Sequence, residues 1–214
     1  MVTIVDYGVG NLYSLRCSLE AIGQETRISA DPEVIRRAEK IILPGVGAFG
    51  DAAEKLRRNG MDQALREAAG EGTPLLGICL GMQLLFQKSY EYGEHAGLGL
   101  LPGEVRPIAE MIPAGLKIPQ MGWNALRFKR ECALFRYIRE GDYVYFVHSY
   151  AAVHCGEALL ATTEYGAELT ACAGKDNVFG CQFHPEKSGT VGLNILKGFA
   201  EARTEVLHVA VSSH

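Results

Sequence analysis

The chain has 214 residues, 48% of them hydrophobic, with 21 Lys and Arg against 25 Asp and Glu, 25 Gly and 6 Cys. That composition suits one packed domain over 1–214 and excludes a disordered or small disulfide-stapled chain. The formal charge of -4 offers no basic field to nucleic acid, and no apolar run approaches the ~20 residues of a bilayer span.

The opening segment 2–6 is a short β-branched run that lacks the basic flank and the length of a secretory signal, and it is expected to form a first strand. A helix over 11–22 closed by Gly23, a strand over 25–29 and a helix from Asp31 with Pro32 at its first position follow. A strand over 40–44, a helix over 51–70, a strand over 74–79 and a helix over 80–88 complete the first half. Alternating β and α segments predict a parallel sheet covered by helices on both faces. The second half reads differently. Strand-like runs over 143–148, 158–163, 169–173 and 178–184 are separated by short turn-rich pieces, as antiparallel or mixed strands are, and a helix over 190–203 precedes a short tail. The cysteines at 17, 79, 132, 155, 172 and 181 never form C-x-x-C, which suits a reduced cytoplasmic protein.

One cysteine stands apart. The apolar run before Gly77-Ile78-Cys79-Leu80-Gly81 ends in Gly-x-Cys-x-Gly and passes into a helical stretch, the layout of a nucleophile elbow with Cys in place of Ser. Glycines on either side remove the Cβ atoms that would clash in so sharp a turn. The helix N-terminus favours a thiolate, and the Leu80 amide is free to donate to an oxyanion. A cysteine nucleophile needs a base, and the base needs an acceptor to orient it. In His184-Pro185-Glu186 the proline forces an extended backbone at His184, and extended residues at i and i+2 face the same way, so His184 and Glu186 are expected side by side. The other histidines, at 95, 148, 154, 208 and 214, carry no acid at that offset, although His148 can line a pocket. His-Pro-Glu also imitates half of a zinc-deaminase motif, but the Pro-Cys-x-x-Cys half is missing, so neither metal nor cofactor is expected.

Gly45-Val46-Gly47-Ala48-Phe49-Gly50 follows a strand and matches the dinucleotide fingerprint G-x-G-x-x-G, yet the second strand with its acidic residue about 20 positions on is absent. A better use for the loop is a second oxyanion donor beside the Leu80 N–H, from a backbone small enough to approach a substrate closely. Gly45, Val46 and Gly47 are the candidates.

Several motifs occur in a fixed order: Asp6-Tyr7-Gly8-Val9-Gly10-Asn11-Leu12, Pro44-Gly45-Val46-Gly47-Ala48-Phe49, Met121-Gly122-Trp123-Asn124, His148-Ser149-Tyr150 and Gln182-Phe183-His184-Pro185-Glu186-Lys187-Ser188. With the Cys79, His184 and Glu186 set, the sequence resembles the class I (triad) glutamine amidotransferases over nearly its whole length. Within that group it looks most like the glutamine amidotransferase subunits of imidazole glycerol phosphate synthases. The resemblance implies a flavodoxin-like α/β fold whose central, mostly parallel sheet is flanked by helices and gains antiparallel strands in the second half. It implies that Cys79 attacks the carboxamide of L-glutamine, His184 shuttles protons and Glu186 orients it. Gln83 and the His148-Ser149-Tyr150 segment would grip the amino-acid end of glutamine. Ammonia would pass to a (β/α)8 cyclase subunit in a heterodimer that makes imidazole glycerol phosphate and AICAR in histidine biosynthesis, with Asn11, Trp123, Tyr145 and Lys187 as interface candidates. Gln120 departs from the family, which often has histidine there; an amide can hydrogen-bond at an interface but cannot carry a proton. The amino-terminal motif and Met-Gly-Trp-Asn are absent from the amidotransferases that serve anthranilate and aminodeoxychorismate synthases. A non-catalytic binding subunit would have no need of all three groups of the set.

Overall fold

A computed structural model of the chain describes residues 1–202. Arg203, which closes the helix expected over 190–203, and the histidines at 208 and 214 lie outside the described residues. The first half consists of β1 (Val2–Val5), α1 (Leu12–Ala21), β2 (Thr26–Ser29), α2 (Pro32–Arg36), β3 (Ile41–Leu43), α3 (Phe49–Arg58), α4 (Met61–Gly70), β4 (Leu75–Ile78) and α5 (Leu80–Leu84). After it come β5 (Lys88–Ser89), β6 (His95–Ala96), β7 (Glu104–Pro107), β8 (Gln120–Phe128), β9 (Tyr143–His148) and β10 (Tyr150–Val153). β11 (Leu159–Glu164), β12 (Glu168–Lys175), β13 (Val178–Cys181) and α6 (Gly189–Glu201) complete the described chain.

Nine strands form one sheet in the order β2-β1-β3-β4-β13-β12-β11-β8-β9. The first five run parallel and the rest pair antiparallel, as the change in sequence texture predicts. Alternation along β1 sends Val2 and Ile4 to one face and Val5 to the other, and β3 divides Ile42 from Ile41 and Leu43 in the same way. Leu15 and Leu19 of α1 with Ile195, Leu196 and Phe199 of α6 cover the first face, and buried residues of α2 to α5 cover the second. At ~2 kcal/mol for each large side chain removed from water, the three α6 residues alone are a substantial part of what closes the sheet.

Three expectations change. The helix over 51–70 begins at Phe49 and divides at Gly60, whose φ of +66° ends α3 and starts α4. The helix over 80–88 stops at Leu84, because the Leu84, Leu85 and Phe86 carbonyls accept from Leu98, Leu100 and Gly99 rather than from a next helical turn. The chain freed after it forms β5, which joins β6, β7 and β10 in a second sheet of order β10-β7-β5-β6 that the sequence reading did not anticipate. The strand over 178–184 leaves the sheet after Cys181, and that departure places the site.

Candidate active site

β4 ends at Ile78 and α5 begins at Leu80, so Cys79 alone makes the corner, with φ 55° and ψ -113°. A non-glycine residue holds a backbone this unusual at a cost on the order of 1–3 kcal/mol, so the surrounding structure must impose it. Two glycines allow it: a Cβ on Gly77 would lie 2.6 Å from the Gly81 carbonyl oxygen, and one on Gly81 would lie 1.9 Å from the Leu43 carbonyl oxygen. The Cys79 N–H donates to the Cys181 carbonyl at 2.8 Å, tying the elbow to the end of β13. With only five residues in α5, less helix field reaches the sulfur than the expected helix over 80–88 would supply.

Past Cys181 the chain crosses to β9, where the His184 N–H donates to the Tyr145 carbonyl at 2.9 Å. His184 is extended, with φ -101° and ψ 98°, but Pro185–Lys187 is a 3-10 turn rather than the extended run expected. The pairing survives by another route. The turn folds Glu186 back beneath the imidazole, and Nδ1 of His184 lies 2.8 Å from its Oε1. Ser188 locks the turn by donating through Oγ to the His184 carbonyl at 2.6 Å while accepting from the Tyr145 N–H at 3.0 Å. Only 4% of the His184 side chain and 5% of the Glu186 side chain remain exposed, so their pairing is little screened by water. Burial pulls the His184 pKa down, but its hydrogen bonds to Cys79 and Glu186 and their charges outweigh burial and hold it up to about 9. An imidazole this basic can take the Cys79 proton and keep it as an imidazolium at neutral pH. The second carboxylate oxygen of Glu186 is buried with no hydrogen-bond partner among the described residues.

The Gln182 side chain also donates to Cys79 Sγ, at 3.7 Å, and accepts from the Gln83 side chain at 3.0 Å. Gln83 also donates to the Tyr150 carbonyl at 3.1 Å, which brings the predicted Gln83 and His148-Ser149-Tyr150 groups together. His148 is buried, with Nδ1 2.8 Å from the Tyr150 carbonyl and Nε2 2.9 Å from Gln120 Oε1. Burial first, and the charge of His184 besides, push its pKa down to about 4, and a neutral ring has one N–H, so it donates to only one of these two oxygens. Gln120 is fully buried and also donates to Asn124 at 3.0 Å, so it is a core hydrogen-bonding group and not the interface amide that the sequence allows.

The loop from Pro44 to Gly47 packs on the elbow: a Cβ on Gly45 would lie 2.8 Å from the Gly81 nitrogen and 2.8 Å from the Tyr7 hydroxyl. Asn11, Gly45, Val46, His184 and Glu186 line a common cleft. Val46 is 45% exposed, and Gly47 holds φ +97°. Of the interface candidates, Trp123 is 52% exposed and meets the Tyr145 ring edge-on at 6.0 Å, and Lys187 Nζ lies 5.9 Å from the centre of that ring. Asn11 is exposed, and its side-chain oxygen accepts from the Ser14 N–H as the α1 N-cap. Sequence reasoning gave no role to three neighbours. Gln182 was visible as the start of the His184 motif. Tyr7 was visible within the amino-terminal one. Glu91 had no sequence signal: it accepts from the Phe49 N–H at 2.6 Å and, after burial, is the next cause raising the Tyr150 pKa.

Comparison with known proteins places the chain in a family. The glutamine amidotransferase class-I family model matches residues 3–202. The imidazole glycerol phosphate synthase subunit HisH of Moorella thermoacetica is 50% identical over 214 residues, covering 100% of this chain and 99% of the relative. That of Wolinella succinogenes is 51% identical over 203 residues, covering 94% and 99%. A solved structure described as a glutamine amidotransferase superposes with a TM-score of 0.74 at 22% identity, covering 94% of this chain and 98% of its own, which speaks for the fold. The chain belongs to the class-I glutamine amidotransferases and, within them, to the family of imidazole glycerol phosphate synthase HisH subunits.

Proposed function

We propose that this chain, as one domain over 1–214, is the glutaminase subunit of imidazole glycerol phosphate synthase and serves histidine biosynthesis. The observation that carries the reading is the buried line of Cys79, His184 and Glu186, in which an imidazole with a raised pKa stands between a thiol and a carboxylate. His184 takes the proton of Cys79, whose sulfur forms a bond to the carboxamide carbon of L-glutamine. As the C–N bond breaks, the imidazolium returns that proton to the nitrogen, and ammonia leaves. Water, deprotonated by His184, then displaces the sulfur and releases glutamate. Leu80 N–H and an amide from Gly45, Val46 or Gly47 hold the oxyanion. Gln83, the His148-Ser149-Tyr150 backbone and the Glu91 carboxylate provide complementary groups for the amino-acid end of the substrate. Asn11, Trp123, Tyr145 and Lys187 meet a (β/α)8 cyclase subunit in a heterodimer, and that subunit uses the ammonia to form imidazole glycerol phosphate and AICAR.

No cofactor enters these steps. The test is glutamate release by the chain mixed with its cyclase subunit and that subunit's ribonucleotide ligand. Hydrolysis is expected to rise well above that of the chain alone and to vanish in Cys79→Ala; activity retained in that variant would remove Cys79 as nucleophile.

A further inference from the structure

We propose that Tyr7 is a positioning residue for the oxyanion loop, acting through one buried hydrogen bond. This inference rests on the assignment of Gly45 to Gly47 as oxyanion donors. Tyr7 follows β1 by two residues and is 3% exposed, and its hydroxyl donates to the Pro44 carbonyl at 2.8 Å. Pro44 is the last residue before Gly45. A peptide plane is rigid, and in the trans form its N–H points opposite to its C=O, so the hydroxyl that holds the Pro44 oxygen also fixes the direction of the Gly45 N–H. It thereby sets the starting orientation of the two peptides that follow.

The residues after Gly45 are less enclosed. Val46 is 45% exposed, and a Cβ on Gly47 would meet nothing within 4 Å. The Tyr7 oxygen is also packed into the contact between loop and elbow, since it lies 2.8 Å from where a Gly45 Cβ would be, as does the Gly81 nitrogen. A phenol there has no proton-transfer role: burial, and secondarily the Cys79 charge, push its pKa far above the ordinary tyrosine value, so it stays protonated and remains a donor. A neutral, permanent donor is suited to holding a backbone carbonyl in place through a catalytic cycle in which charge appears and disappears nearby.

Tyr7→Phe keeps the ring packed and deletes the donor. The chain with its cyclase subunit is assayed for kcat and KM, with kcat expressed per site that glutamine protects from iodoacetamide, so that unfolded molecules do not count. The isolated chain is assayed for Cys79 alkylation by iodoacetamide and for binding of glutamate γ-semialdehyde, whose hemithioacetal with Cys79 places an oxygen in the oxyanion site. The expectation is a kcat at least tenfold lower at a KM within about threefold, aldehyde binding at least tenfold weaker, and an unchanged alkylation rate. A kcat within twofold of wild type would overturn the inference. Alkylation that falls in step with kcat would also overturn it, because Tyr7 would then act on the thiol and not on the loop. Wild-type activity with the cyclase subunit tests the glutaminase reading separately, so failure of that reading is told apart from failure of the role given to Tyr7.

Discussion

Replacing Glu186 by Gln tests how the imidazole is made basic. The native carboxylate accepts from Nδ1 of His184 at 2.8 Å, which leaves Nε2 for the thiol. The rise of the His184 pKa from 6.5 to about 9 is net of burial and corresponds to about 3 kcal/mol in favour of the imidazolium. Cys79 and Glu186 share that stabilisation. With the carboxylate gone, burial opposes protonation with one ally fewer, and the His184 pKa is expected to fall by at least about one unit. An amide also presents an N–H to Nδ1, which moves the ring proton to Nε2 and points a donor, not a base, at the sulfur. Glutamine hydrolysis in the complex should then lose on the order of a hundredfold to ten-thousandfold in kcat, the range expected when a base is held in the wrong tautomer.

The stability consequence has a definite sign. Because the folded-state pKa lies above 6.5, the native contribution is complete below pH 6.5 and is lost as the pH rises through 9. The variant should show a smaller loss of stability across that window. An NMR titration of the His184 ring, kcat at saturating glutamine and denaturant midpoints between pH 6 and 10 measure the three effects. A His184 pKa within half a unit of the wild-type value would refute the reasoning, whatever the change in rate.

Two further predictions concern the scaffold. Gly81→Ala puts a methyl 1.9 Å from the Leu43 carbonyl oxygen, a backbone group that cannot rotate away, so urea unfolding should show a loss of about 3 kcal/mol or more; a loss below about 1 kcal/mol would mean that the elbow is looser than its contacts indicate. His148 has the opposite linkage to His184: its folded pKa of about 4 lies below 6.5, so its contribution is present above pH 6.5 and is lost as the pH falls toward 4. That loss is worth about 3 kcal/mol, and His148→Asn should lose correspondingly less stability than wild type between pH 7 and 4.5; equal losses in the two proteins would contradict it.

Local chemistry made the elbow legible in the sequence. Only glycine can sit at positions 77 and 81 beside so sharp a corner, and that requirement is written in residue type. The change from a parallel first half to antiparallel or mixed strands in the second was legible for the same kind of reason, since β-α alternation and closely spaced strands leave different periodicities, and β13 is the second-half strand that pairs parallel, with β4, as well as antiparallel, with β12. His-Pro-Glu was found for its spacing, although the 3-10 turn that joins the pair differs from the extended geometry inferred for it, because proline and a following turn can bring residues i and i+2 together as well as a strand can.

Other features depended on contacts distant in sequence. The end of α5 is set by carbonyls captured by residues 98–101, and β5 to β7 exist as strands because they pair with one another and with β10, not because of any alternation of their own. Gln120 reads as polar and surface-seeking, yet it is fully buried because His148 and Asn124 satisfy its amide. Tyr7 and Glu91 reach the site only when β1 is laid beside β3 and the chain after β5 is folded over the start of α3. The sequence by itself determined which atoms could react and which backbone could turn tightly enough to present them. Tertiary structure decided which groups stand within hydrogen-bonding distance of those atoms, because partners 37 residues apart, as Tyr7 and Pro44 are, or 103 apart, as Cys79 and Gln182 are, meet only through the packing of the sheet.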